Sequence, residues 1–518
     1  MKAMFIVLFA LFLSVTMNGM GNCGVPKDTL VVAVPEDIHL LDPAVSLEIG
    51  DRREFYLCYD RLVKYKGVEG PGNAELEPMV AESWSVSPDG MVYTFKIRKG
   101  ISFDDGTPLD AKAVKFSLER LLKIRKGPSD TLAAVKKSID LVDNYTIRIT
   151  LKNPFAPFLA TLNGPGASIV NPNVMKHEKD GDMAQAWLAQ RADGSGPFRM
   201  VEWTRGERCV LESKANYWGT KPKVKRVIIR FIRESSDRRM ALERGDVDIA
   251  ENLPVDQELV VEKNPDIVLP KDPAMMMQIV YLNCQKPALE NKVVRQALNY
   301  AVDYKGIIDY VVKGYGRQMR GPIPQSMWGH NPNVLQYNRD VTKAKALLQK
   351  AGYGKGLKLT LLYAKRGVAW EQIAAILQNN FAEIGVDLKL QLMAWPTLRD
   401  KLDRGDFELS LGGWNPTVVD PYAIMSYWFD SERYGLAGNR SFYKNSQVDE
   451  LIRKALTISK KEERVKLYNA AQDIIMEDAP YIFLYEREVR VPMRKNVKGA
   501  IFNPALLSTY NYDLVSKE

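Results

Sequence analysis

At 518 residues, with 46% hydrophobic and 26% charged side chains, the chain is too long for one hydrophobic core and too apolar to be disordered, so two or three globular domains are expected. The net charge of +9 comes from scattered lysines and arginines with no run of five basic residues, which argues against nucleic acid as a partner.

The N-terminus has three parts. Met1-Lys2 carries one positive charge, an unbroken apolar run follows from Ala3 to Leu13, and a small, polar stretch runs from Ser14 to Gly24. This is the pattern of a secretory signal peptide, expected over residues 1–21. The apolar run falls short of the roughly 20 residues that span a bilayer, so an exported, soluble mature chain is expected. Gly19 and Gly21 suit cleavage before Asn22. Cys23 raises the alternative of a lipid anchor, although Asn22 sits where a lipobox wants a small residue.

The next elements follow from periodicity. Thr29 to Val34 reads as a first strand, followed by "LDPAVSLEIGDRR", Leu41 to Arg53. Met91 to Arg98 and Tyr145 to Lys152 alternate with period two and read as half-buried strands. Between them Asp110 is placed to cap a helix through Leu122, with Val114, Leu118, Leu121 and Leu122 on one stripe. "DGSGPF", Asp193 to Phe198, precedes a strand instead of opening a helix, so it does not read as a phosphate cradle.

Helix and strand alternate in the second half, the signature of a sheet with crossover helices. Helices are expected over Thr342 to Ala351, Trp370 to Ile384 and Pro396 to Arg404. Strands are expected over Leu357 to Tyr363, Val386 to Met393 and Phe407 to Leu411. "ALERGDVDIA" (Ala241 to Ala250) and "KLDRGDFELS" (Lys401 to Ser410) share one grammar: a helix, a glycine in a left-handed turn at Gly245 or Gly405, then a strand. That grammar explains Arg-Gly-Asp better than an adhesion motif does.

No catalytic pattern emerges. GxSxG, HExxH and GxxxxGK[ST] are all missing from the sequence. Cys23, Cys58, Cys209 and Cys284 include no CxxC pair and leave room for one disulfide. His39, His177 and His330 stand apart from one another and from the cysteines. Asp104-Asp105 sits in turn-like sequence, where carboxylates cap and turn. Neither a metal nor a cofactor is expected. A non-enzymatic, ligand-binding protein is the reading that remains, with an exported enzyme acting on peptides as the contrary class.

The most suggestive stretch is "GGWNPTVVDP", Gly412 to Pro421, just past the expected Phe407 to Leu411 strand. Ligands of open α/β sheets gather beyond the carboxyl ends of strands. Trp414 could wall a pocket, or it could be core. Asp420 could meet a ligand, or it could cap a turn.

Four blocks carry a family resemblance: "LEPMVAESWSVSPDGMVYTFKIRKGISFDDGTPLDAKAVKFSLERL" (Leu76 to Leu121), "GSGPFRMVEW" (Gly194 to Trp203), "VRQALNYAVD" (Val294 to Asp303) and "IGVDLKLQLMAW" (Ile384 to Trp395). They resemble the extracytoplasmic solute-binding proteins of the dipeptide, oligopeptide and nickel class, which serve ABC importers. The resemblance implies a type II periplasmic-binding-protein-like α/β fold: two lobes joined by a two-strand hinge, with an extra inserted domain. Lobe I would comprise 27–64, 190–272 and 484–518, the inserted domain II 65–189, and lobe III 273–483. It implies a periplasmic monomer that captures a peptide or peptide-like solute between the lobes and delivers it to an inner-membrane ABC permease. Nickel, metallophore, sugar and opine ligands remain alternatives within the family. Peptide-binding relatives often place an Asp three residues after the Trp matched by Trp414, to pair with the peptide's amine. Thr417 stands there instead and cannot neutralise an ammonium, which leaves Asp420 as a substitute. The expected ligand-binding residues are Trp414, Asp420, Thr417, Asn415, Trp395, Ser46 and Glu48, with Trp395 equally readable as packing. Lys365 and Arg366 are candidates for an anionic end of the ligand.

Overall fold

The computed structural model describes residues 25–46, 48, 50–66, 75–366, 368–416, 418–503 and 510–518. The expected signal peptide and Cys23 lie outside these residues, as does Thr417.

Thr29–Val34 is buried along its whole length. It pairs in parallel with Arg226–Phe231 and Ile249–Ala250, and a strand flanked and covered on both sides needs the continuous apolar run TLVVAV. It lies inside a seven-stranded sheet whose remaining members are Ile267–Val268, Met493–Arg494, Arg208–Ser213 and Phe198–Thr204. Leu30, Val32 and Val34 face one core, while Val31 and Ala33 face another that includes Leu242 and Val247.

A second sheet has six strands in the order Gly316–Gln318, Tyr481–Val489, Asp272–Leu282, Leu409–Trp414, Leu357–Ala364, Val386–Met393. A separate antiparallel sheet of four strands contains Val92–Ile97 and Thr146–Leu151, with Tyr93 opposite Ile149 and Phe95 opposite Ile147. Helix Ala111–Ile124 packs on it through Val114, Leu118 and Leu121, and the Asp110 carboxylate accepts from the Lys112 and Ala113 amides as an N-cap.

The chain crosses between the two large sheets twice. It leaves the first after Ile267–Val268 and enters the second through Asp272–Leu282. It returns along Tyr481–Val489 to Met493–Arg494. These two long antiparallel strands pair with each other and are the two-strand hinge of a two-lobed α/β fold. The expected lobe boundary at 483/484 falls inside the second of them, because its pairing runs on to Val489.

The paired Arg-Gly-Asp segments follow one construction. Gly245 (φ 80°) ends helix Ser235–Arg244 and Gly405 (φ 70°) ends helix Trp395–Arg404, each in the left-handed region, and a strand follows each. One expectation is corrected. The strand expected to stop at Leu411 is Leu409–Trp414, so Gly412 and Gly413 lie within it and not in a loop. Cys58, Cys209 and Cys284 are free thiols, so no disulfide links any two of these three.

Candidate functional site

Strand Leu409–Trp414 runs antiparallel to Asp272–Leu282, with Trp414 opposite Met277, Gly413 opposite Gln278 and Gly412 opposite Ile279. Neither glycine has a positive φ. Gly412 is needed for space instead: a Cβ there would lie 2.2 Å from Cε2 and 2.5 Å from Cζ of Tyr281. The Tyr281 ring therefore lies flush across the strand. It is fully buried and meets Tyr481 edge-on with centroids 5.5 Å apart. Its hydroxyl accepts a hydrogen bond from Arg440 Nη1 at 3.1 Å. The Arg440 guanidinium stands 5.8 Å from the centroid of Trp414. Trp414 in turn packs against Tyr427 and Trp428, and its buried Nε1 donor has no hydrogen-bond partner.

Trp414 forms part of the wall of two cavities. One, of about 470 Å³, is walled by both hinge strands through Met276, Gln278, Tyr485 and Arg487, and by Arg366, Trp395, Asn415 and Arg440. The other, of about 270 Å³, is mostly apolar. It lies where Ser46, Arg52, Leu132, Leu162 and Pro165 converge with Val418 and Tyr427, which lie beyond Trp414 in the chain. Both volumes are of the order of small-ligand pockets, about 300–1,000 Å³.

The residues singled out in the sequence are divided by the fold. Asn415 lines the larger cavity beside Trp414. Trp395 lines it too, 36% exposed, with Arg366 stacked 4.5 Å from its ring centroid. Ser46 reaches the smaller cavity, but its hydroxyl donates to Asp51 at 2.6 Å and accepts from the Glu48 amide at 3.1 Å. Glu48 is exposed and lines neither cavity.

Asp420 departs from expectation. Its carboxylate is 4% exposed and takes two hydrogen bonds from Arg464, at 2.6 and 2.8 Å, while Oδ1 accepts from the Tyr422 amide at 2.9 Å. Burial alone would push Arg464 down, but the Asp420 charge outweighs it and holds the guanidinium above its ordinary value. Three of the carboxylate's roughly four acceptor sites are filled and Asp420 lines neither cavity, so the role of amine anchor is withdrawn from it.

Tyr281 and Arg440 were not legible as site residues. Tyr281 looks like one more apolar strand position, and Arg440 sits in a segment without periodicity. No group of His, Cys, Asp and Glu able to hold a metal ion occurs among the described residues. Away from both cavities, Arg53 pairs with Glu251 at 2.9 Å and with Glu54 at 3.2 Å. Burial pushes the Glu54 carboxyl up to about 7, against the pull of Arg53.

Residues 75–435 match the family described as bacterial extracellular solute-binding proteins, family 5 Middle. The chain is 42% identical over 510 residues to the probable D,D-dipeptide-binding periplasmic protein DdpA of Escherichia coli strain K12, covering 98% of each chain. Its fold is similar to that of the ABC transporter-associated periplasmic binding protein DppA from Helicobacter pylori in complex with the peptide STSA. The TM-score is 0.79 at 31% identity, over 95% of this chain and 98% of that one. HbpA2 from Haemophilus parasuis superposes with a TM-score of 0.85 at 28% identity, over 95% of this chain and all of that one.

Proposed function

Because this chain belongs to the bacterial extracellular solute-binding proteins of family 5, we propose that it captures a peptide or peptide-like solute between its lobes and delivers it to the permease of an ABC importer. The observation that carries the peptide reading is the 42% identity, across 98% of both chains, to a relative named for D,D-dipeptide binding. The bound peptide in the Helicobacter pylori structure supports the same class.

The geometry supports capture by closure. Both hinge strands contribute side chains to the larger cavity, so a solute held there touches the pivot about which the lobes move. Closure excludes water, and each hydrogen bond to the solute then counts for more. In this reading Trp414, Asn415 and Trp395 touch the solute in the larger cavity, and Ser46, held by Asp51, borders the smaller one. With Asp420 committed to Arg464, the remaining carboxylate among the seven expected residues is Glu48, which lies outside both cavities and would meet only a part of the solute that extends beyond them. Thr417, three residues after Trp414 in the sequence, is kept as a contact. The protein works as a periplasmic monomer, exported by residues 1–21, with anchoring at Cys23 as the alternative form. It releases its solute unchanged.

Calorimetric titration of the mature protein with D,D- and L,L-dipeptides tests this reading. Saturable one-to-one binding without consumption of peptide is expected. Loss of substrate beyond stoichiometry, or no binding of any peptide, overturns it.

A further inference from the structure

Three guanidiniums, from Arg366, Arg440 and Arg487, line the cavity beside Trp414, and among the described residues no carboxylate does. Arg487 has an acidic neighbour elsewhere, Glu258 at 3.5 Å. Neither Arg366 nor Arg440 has a carboxylate within ion-pair distance among the described residues, and Arg366 spends one face on Trp395.

Arg440 is the more constrained of the two. Nη1 donates to Tyr281, Nε is buried without a hydrogen-bond partner, and no described residue accepts from Nη2. The ring that holds Nη1 is itself locked between Gly412 and Tyr481. A positive charge fixed in a half-buried wall with unused donors is costly unless an anion completes it. The planar fork matches a carboxylate with two parallel hydrogen bonds.

We infer that Arg440 is a specificity-determining residue that receives a carboxylate of the solute, with Arg366 adding to the positive field around it. This rests on the solute-binding reading above but does not require the solute to be a peptide. Tyr281 acts through Arg440 as a positioning residue, since its hydroxyl fixes the guanidinium.

The test compares dipeptides as free acids and as C-terminal amides, titrated calorimetrically into the full mature chain, its Arg440→Gln and Arg440→Met variants and Tyr281→Phe. The parent is expected to prefer the acid by about 10- to 100-fold, the worth of a charge-assisted pair. Both Arg440 variants should lose that preference while keeping the parent's melting temperature, and Tyr281→Phe should lose part of it. Equal binding of acid and amide by the parent, or an unchanged preference in folded Arg440 variants, overturns the inference and leaves peptide capture standing. If no dipeptide binds, the solute that co-purifies with the protein decides by native mass spectrometry. A non-peptide carboxylate whose binding Arg440→Gln abolishes supports the inference while ending the peptide reading. A solute without an anionic group overturns the inference.

Discussion

Gly412→Ala adds one methyl group to a strand whose φ any residue could adopt, so backbone conformation predicts almost no effect. Space predicts a large one. The new Cβ would stand 2.2 Å from Tyr281 Cε2, 2.5 Å from Cζ and 2.7 Å from the hydroxyl oxygen, all on a ring that is 1% exposed. The contact involves the far half of a rigid ring, which cannot swing aside without leaving Tyr481 and releasing Arg440. Overpacking of this kind costs about 1–3 kcal/mol, and the displaced hydroxyl should also weaken solute affinity. Thermal melting of the empty protein and calorimetric titration of the parent's best ligand read the two effects separately. Tyr281→Ala supplies the control. Because it removes the colliding ring, Gly412→Ala should cost at most about 0.5 kcal/mol in that background, so the double-mutant cycle should show strong coupling. A Gly412→Ala protein with the parent's melting temperature and affinity, or strictly additive losses in the cycle, would refute the packing account.

Trp414→Ala should lower solute affinity about 10- to 100-fold in the same titration, yet destabilise the empty protein less than Trp428→Ala. The latter removes a 1% exposed core ring, at a cost of about 3–5 kcal/mol. Asp420→Asn strands Arg464 in a buried position and should cost about 3–5 kcal/mol in thermal or urea unfolding, while discrimination between free and N-acetylated peptides stays at the parent's level. Glu54 is an acid raised in the folded state to about 7 from an ordinary 4.5. Between those values the folded protein holds the proton more tightly than the unfolded chain does, so this group's contribution to stability falls as pH rises through the window, by roughly 3 kcal/mol in total. Melting curves of the parent and Glu54→Gln across pH 4.5 to 7 should therefore differ in slope, with the variant flatter.

The fold was legible wherever one residue's neighbours in sequence are also its partners in space. Asp110 caps the helix it precedes, Gly245 and Gly405 end the helices they follow, and the alternation of Tyr93, Phe95, Ile147 and Ile149 reports the face of one sheet. Of the residues the sequence singled out, Trp414, Asn415, Trp395 and Arg366 border the larger cavity and Ser46 the smaller one. Gly412 and Gly413 look like a loop because a residue without a side chain carries no periodicity. The reason for Gly412 is a tyrosine on another strand. Asp420 looks like an available anion because its partner, Arg464, comes from helix Lys461–Asp478. No spacing rule connects the two, and only burial reveals that the charge is already spoken for.

The hinge strand that walls the larger cavity is irregular where the solute would lie. The pairing of Asp272–Leu282 with Tyr481–Val489 shifts register between Pro273 and Met276 and again between Gln278 and Ile279. The three residues between those shifts, Met276, Met277 and Gln278, all line the cavity. A bulge bends its strand, increases the local twist and re-aims side chains. The two bulges therefore explain how consecutive residues, which would alternate between faces in a regular strand, can all border one cavity. The Gln278 side chain completes the arrangement by donating to the Gly412 carbonyl at 2.7 Å, tying the bulged segment to the strand that ends in Trp414. A solute lodged there presses on a part of the hinge that is already bent, and lobe closure can follow solute contact only to the extent that the closed geometry binds it better than the open one.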